Sequence, residues 1–169
     1  MIKYLALALA GVMVAADQWV KVWAYTYLSE RRSVIPGLFY LTYLENSGAA
    51  FGIFQGQAFV LAIISIFILA GILAVMFSGK VISRVQIFSL ALILAGGVGN
   101  MIDRLSRGFV IDYFDFSAIM GFPIFNLADV FVVVGTIALA VHILFFDGKK
   151  PEQQADVGEG EGINTDEEG

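Results

Sequence analysis

"AFVLAIISIFILAGILAVMF", residues 58–77, is a run of twenty residues without a charge. A helix needs roughly 20 apolar residues to cross the hydrocarbon core of a bilayer. A single soluble domain of 169 residues would not carry such a run. The stretch therefore predicts a transmembrane helix. Working outward, "SGKVISR" (78–84) reads as a tight turn, and a third span follows over about 85–102. A first span runs over about 2–23, interrupted by Asp17, Gln18 and Lys21, and a fourth over about 126–146. Four spans place the two long connections, 24–57 and 103–125, on one face and both termini on the other.

The first segment has another reading. "MIKYLALALAGVMVAADQ" has the shape of a cleavable signal peptide, with Lys3, an apolar run and then small residues. The apolar pattern continues through Trp19, Val20, Val22 and Trp23, which favours an uncleaved span. Asp17 and Lys21 are four apart, so they share a helical face and neutralise each other there.

The connections carry their own patterns. "VIPGLFYLTYLEN" (34–46) follows a Pro-Gly turn signal with aromatic and β-branched residues and predicts a strand pair. "FVIDYFDF" (109–116) has similar strand character. Both tryptophans and five of the six tyrosines lie at or in the long-connection face, as expected of residues at headgroup level. The expected fold is an all-α membrane protein, four transmembrane helices with a small β-rich, aromatic cap on one membrane face. Lys/Arg counts do not orient it. Five fall on each face, so the positive-inside rule is silent.

The net charge of −5 belongs to the end of the chain. From Asp147 onward there are eight acids and two lysines; residues 1–146 carry eight Lys/Arg and seven Asp/Glu. The segment 147–169 is acidic and Gly-rich, without aromatics, and reads as a disordered tail after a four-span membrane domain, 1–146.

The chain has no cysteine and one histidine, His142. Thiol nucleophiles, disulfides, HExxH sites and multi-histidine zinc sites lack their parts. No metal or cofactor is expected. The polar residues within or bordering the spans are Asp17, Lys21, Asn46, Asn100, Asp103, Arg104, Asp112, Asn126 and Asp129. All fall toward the long-connection end. A bland reading is a polar rim, where water and headgroups reduce the cost of charge.

Asp112 and Asp129 suggest more. Brought together, two carboxylates share a proton and titrate as a pair. One can deprotonate a water while the other donates to a carbonyl oxygen, which is general acid–base peptide hydrolysis. Each candidate has a competing role. Asn126 and Asp129, three apart before an apolar run, resemble a helix cap. Asp115 competes with Asp112 in the same segment. "GGVGN" (96–100) lies late in a span with no strand before it, so its glycines suit close helix packing better than phosphate binding. A small transporter or proton relay is the rival function. It would place ionisable groups along the depth of the bundle, where spans two and four offer only His142 below the rim.

Five blocks occur in order: "DQWVK" (17–21), "ENSGAAFGIF" (45–54), "GGVGNMIDRL" (96–105), "GFVIDYFDF" (108–116) and "FPIFNLADVFVVVG" (122–135). Together they resemble the lipoprotein signal peptidases (signal peptidase II). The resemblance implies an aspartic endopeptidase of the bacterial inner membrane that removes the signal peptide from diacylglyceryl-modified prolipoproteins, cutting just before the lipidated Cys. It implies that Asp112 and Asp129 are the catalytic pair. Asn46, Gly48, Asn100, Arg104 and Asn126 would support the pair or the substrate, and Asp17, Lys21 and Asp103 would be structural. Both termini would be cytoplasmic, with the cap and active site at the outer face. Expected partners are lipid-modified prolipoproteins and membrane lipid, with no nucleic acid, around a monomeric enzyme.

Overall fold

The computed structural model describes residues 1–49, 53–81, 83–119 and 121–146. The tail expected over 147–169 lies outside the described residues. Among the described residues, four helices are long and apolar enough to cross a membrane: α1 (Ile2–Tyr27), α2 (Ala58–Phe77), α3 (Arg84–Arg107) and α4 (Leu127–Phe145). Three strands, β1 (Arg32–Ile35), β2 (Phe39–Asn46) and β3 (Val110–Asp115), form one antiparallel sheet in that order. The sheet sits at the end of the bundle where α1 and α3 finish and α4 begins. The four spans and the aromatic strand cap are thus as the sequence predicts.

Two helices run further than hydropathy suggests. α1 continues past Trp23 to Tyr27, and α3 past Ile102 to Arg107. The reason is that their charges are answered inside the bundle. Asp103 pairs with Lys21 of α1, so the last turn of α3 is held although it is polar. Gly108 then ends α3 in the left-handed conformation, φ 81°, with its N–H on the Arg104 carbonyl, a conformation that costs glycine least.

α3 is the central helix and packs against the other three. It can do so because small residues face its neighbours. A Cβ added at Gly96 would lie 2.1 Å from the Ala128 carbonyl oxygen of α4. The core between the helices is built from Ala6, Ala10, Leu69, Leu90, Ala91, Leu94 and Ala95. The outward faces keep large apolar side chains exposed, such as Phe59, Phe67, Ile137 and Leu144, as a lipid-facing surface requires. Gly96→Ala should therefore push α4 off α3. Overpacking of this kind costs about 1–3 kcal/mol. A lowered melting temperature in detergent is expected, and an unchanged one would contradict the close approach.

The sheet rests on the end of α1, where Ala24 and Leu28 bury Ile111 and Tyr113. Its other face carries Phe39, Phe114, Phe116 and Phe125 in a chain of ring contacts; Phe39 stacks on Phe116 with centroids 4.6 Å apart. One irregularity matters below. Leu41 pairs with Phe114 but Leu44 pairs with Asp112, so β2 spends three residues where β3 spends two. This β-bulge exchanges the faces of the strand beyond it.

Candidate active site

A buried ion cluster ties α1 to α3. Lys21 Nζ lies 3.0 Å from Asp17 Oδ2 and 3.1 Å from Asp103 Oδ2, and all three side chains are fully buried. Arg107 completes the cluster on Asp103 Oδ1. Two cations face two carboxylates, so the buried charge balances. Gln18 Nε2 donates to Asp103 at 3.2 Å and to the Gly99 carbonyl at 3.1 Å. Asp17 reaches further still and accepts the Ala128 N–H at 3.0 Å, in the first turn of α4. Three helices are thereby fixed relative to one another.

Lys21 also begins a chain of oriented amides. Its Nζ donates to Asn100 Oδ1 at 2.9 Å. That leaves Asn100 Nδ2 to donate to Asp129 Oδ1 at 2.8 Å. Asn126 caps α4: its Oδ1 accepts the Asp129 N–H at 3.0 Å, and its own N–H donates to Asp129 Oδ2 at 3.0 Å. Its Nδ2 is thereby turned to Asp112 Oδ1, 2.7 Å away, and to Asn100 Oδ1 at 3.1 Å. Asn46 Nδ2 donates to Asp112 Oδ2 at 2.9 Å, while its Oδ1 accepts the Gly48 N–H at 3.0 Å. The capping arrangement read from sequence is therefore present, and the capping side chain also bonds Asp112. One residue, Asn126, holds both carboxylates.

Each carboxylate oxygen of Asp112 and Asp129 thus accepts one hydrogen bond from a fixed donor. Both residues line one cavity of about 980 Å³. Asn46, Asn100 and Arg104 line it with them. Arg104 Nη2 donates to the Gly48 carbonyl at 3.0 Å, and among the described residues its buried Nε has no hydrogen-bond partner. A Cβ on Gly48 would meet the Ile53 carbonyl at 2.8 Å, so only glycine lets that loop pass.

Burial raises the Asp112 pKa, and the negative charge of Asp129 raises it further; hydrogen bonds from Asn46 and Asn126 and the charge of Lys21 oppose this, leaving it at about 7. At neutral pH, Asp112 therefore sits near half-protonation. An acid that both holds and releases a proton at the working pH is what general acid–base chemistry needs.

Asp115 lies elsewhere. Burial alone would raise its pKa, but hydrogen bonds from Ser117 and Arg31 outweigh burial and hold the carboxyl below the usual carboxylate range. Arg31 Nε is 2.6 Å from its Oδ2, and the Arg31 guanidinium lies 3.7 Å from the centre of the Tyr40 ring. Asp115 is a cap-side ion pair on the opposite face of β3 from Asp112. Asp115→Asn is expected to keep most of the activity. Loss of turnover in that variant at normal protein yield would reverse the choice between the two aspartates.

All ten residues singled out from sequence lie in or directly beneath this site. Two residues not among those ten also belong here: Gln18, noted from sequence as an interruption of the first span, bridges the ion cluster, and the buried Tyr113 hydroxyl accepts the Leu127 N–H at 3.1 Å. Gln18 carried a signal, being an amide inside an apolar span. His142 is remote: it stacks on Phe146 at the far end of α4. Among the described residues, no group of three His, Cys, Asp or Glu is placed to hold a metal ion.

Fold and site together define a class: a four-span membrane protein with a carboxylate-bearing cavity at one end of its bundle. Comparison with known proteins narrows it, for residues 9–145 match the family model of signal peptidase (SPase) II. The chain belongs to the signal peptidase II family. It is 41% identical over 145 residues to the lipoprotein signal peptidase of Clostridioides difficile (strain 630), covering 82% of this chain and 93% of the relative. It is 38% identical over 144 residues to that of Clostridium acetobutylicum, covering 83% and 94%. A bacterial membrane enzyme solved by the in meso method at 2.3 Å resolution superposes with a TM-score of 0.76 at 33% identity, over 88% of this chain and 93% of the other. The protein is accordingly a peptidase and a multi-pass bacterial membrane protein.

Proposed function

We propose that this peptidase removes signal peptides from diacylglyceryl-modified prolipoproteins, cutting just before the lipidated Cys, with Asp112 and Asp129 as the catalytic pair. The observation that carries the reading is that Asn126 holds both carboxylates at the wall of one cavity, where Asp112 has a pKa of about 7. Asp129 is the carboxylate that takes a proton from water, its two oxygens held by Asn100 Nδ2 and the Asn126 N–H. Asp112 carries the proton that goes to the scissile carbonyl oxygen. Water attacks the carbonyl carbon as this happens, giving a neutral gem-diol. Collapse returns a diol proton to Asp112, and Asp129 passes its proton to the leaving amine. No covalent intermediate forms, and both carboxyls end as they began.

The place of the site supports the choice of substrate. A Cys that carries two acyl chains keeps them in the lipid, so its peptide bond stays near the membrane surface. The pair lies at the end of the bundle, under an aromatic cap that reduces access of bulk water. Arg104 and Ala49 stand at the cavity wall to position peptide. In this reading both termini are cytoplasmic, the cap faces outward, and the enzyme acts as a monomer. Incubation of the purified protein with a diacylglyceryl-modified precursor tests it. Mass measurement should find a single new N-terminus at the modified Cys. Cleavage at another bond, or equal cleavage of the unmodified precursor, would defeat the assignment.

A further inference from the structure

The connection between β3 and α4 supplies much of the cavity wall. Ser117, Phe122, Pro123, Ile124 and Phe125 all line the cavity. Phe125 is fixed at the far end of the connection. Its carbonyl accepts the Phe114 N–H at 2.8 Å, and its N–H donates to the Phe114 carbonyl at 3.1 Å. Before that point the backbone bonds are local: Gly121 N–H to the Ser117 carbonyl and Phe122 N–H to the Ile119 carbonyl, both 3.2 Å. Among the described residues, one hydrogen bond reaches 117–124 from a distant segment. Arg31 Nη2 donates to Ser117 Oγ at 3.2 Å.

The surroundings of Arg31 suit it to hold that point. Its guanidinium lies 3.7 Å from the centre of the Tyr40 ring. The Tyr40 hydroxyl accepts the Gly37 N–H at 3.0 Å, which fixes the ring against the β1–β2 turn. From there the planar fork reaches two groups at once, Asp115 Oδ2 through Nε at 2.6 Å and Ser117 Oγ through Nη2. The other Asp115 oxygen accepts the Ser117 N–H at 2.8 Å. We propose that Arg31 is a positioning residue for the peptide substrate: it clasps the β3–α4 connection at Ser117 to the β1–β2 hairpin and so holds the cavity wall in place for binding. The inference rests on the proposed peptidase reading of the Asp112–Asp129 cavity. A wall that drifts must be ordered when peptide binds, and apparent affinity falls with the fraction of molecules already in place. Arg31 bonds neither carboxylate of the pair, so the clasp acts on binding and leaves the proton chemistry alone.

The test measures kcat and KM on a diacylglyceryl-modified precursor. It compares wild type, Asp115→Asn, Arg31→Met, Arg31→Lys and the variant combining Arg31→Met with Asp115→Asn. Arg31 is 45% exposed, so its loss opens no core. The combined variant also removes the buried Asp115 charge that Arg31→Met alone would strand. Arg31→Met and the combined variant should raise KM by about tenfold, the scale of a hydrogen bond to a charged group. Their kcat and its pH dependence should stay as in wild type, as for a loss of binding alone. Arg31→Lys should recover part of the loss, since one ammonium cannot reproduce the fork. Asp115→Asn keeps an oxygen for Nε and leaves Ser117 and Tyr40 in place, so it should stay near wild type. A folded combined variant with a wild-type KM would overturn the proposal, as would a loss confined to kcat or a shifted pH profile. A wild type that leaves the precursor uncut would defeat the peptidase reading, and the inference with it.

Discussion

Asp112→Asn and Asp129→Asn are each expected to lower kcat by about 10²–10⁴-fold, the range that acid–base groups supply. Both variants should still insert and melt close to wild type. The reason for lost turnover is chemical, since an amide neither releases nor takes up the proton that the pair must share. The reason for retained folding is local. Asp112 accepts from Asn46 and Asn126, and Asp129 from Asn100 and the Asn126 N–H. In either variant the amide oxygen keeps one of these bonds, and its NH₂ opposes the other donor. Against that loss, repulsion between the carboxylates disappears. The check is turnover of a lipidated precursor alongside a melting curve in detergent. Substantial turnover in either variant would remove that residue from the chemistry.

Lys21→Met should be the most damaging change away from the carboxylate pair. It removes the cation from between Asp17 and Asp103, all of them fully buried. Breaking a buried ion pair by deleting one partner costs about 3–5 kcal/mol. Arg107 still faces Asp103, but among the described groups Asp17 would keep only neutral donors, Gln18 and the Ala128 N–H. A second consequence reaches the site. Without Lys21 Nζ, the Asn126 Nδ2 is left as the donor that holds the Asn100 amide oxygen away from Asp129. Lys21→Arg supplies the charge with the wrong shape for a fully enclosed pocket and should rescue only in part. The measurements are the melting temperature and the activity that remains in the folded fraction. Wild-type stability in Lys21→Met would mean that the cluster does not bear on the packing of α1 against α3.

Much of this was legible in the sequence because a membrane makes polar residues conspicuous. Twenty uncharged residues over 58–77 define a span without reference to anything else. The same contrast exposes Asp17, Lys21 and Asn100, which have no reason to lie in apolar helices unless something answers them. Hydropathy misplaced the end of α3 for a related reason. Asp103 and Arg104 look like loop residues until their partners, Lys21 and the Gly48 carbonyl, come from distant segments. The resemblance implies Asp112 over Asp115, but their different surroundings needed three dimensions. Two aspartates three apart on a strand face opposite sides, and only the fold places Arg31 on one side and Asn126 on the other. The bulge in β2 has no sequence signal here, since it falls at Thr42 and Tyr43, which suit a regular strand equally well.

The central claim is that Asp112 and Asp129 work as a pair sharing one proton, and the pH dependence of kcat/KM tests it most directly. Asp112 holds its proton below a pKa of about 7 and loses it above. Above that point both carboxylates are charged and the proton donor is gone, so the rate should fall. Toward low pH the pair becomes doubly protonated, no base remains, and the rate should fall again, giving a bell. The account predicts a falling alkaline limb near pH 7, unchanged in Asp115→Asn. A rate that keeps rising above pH 8, as for a nucleophile activated by deprotonation, would contradict it.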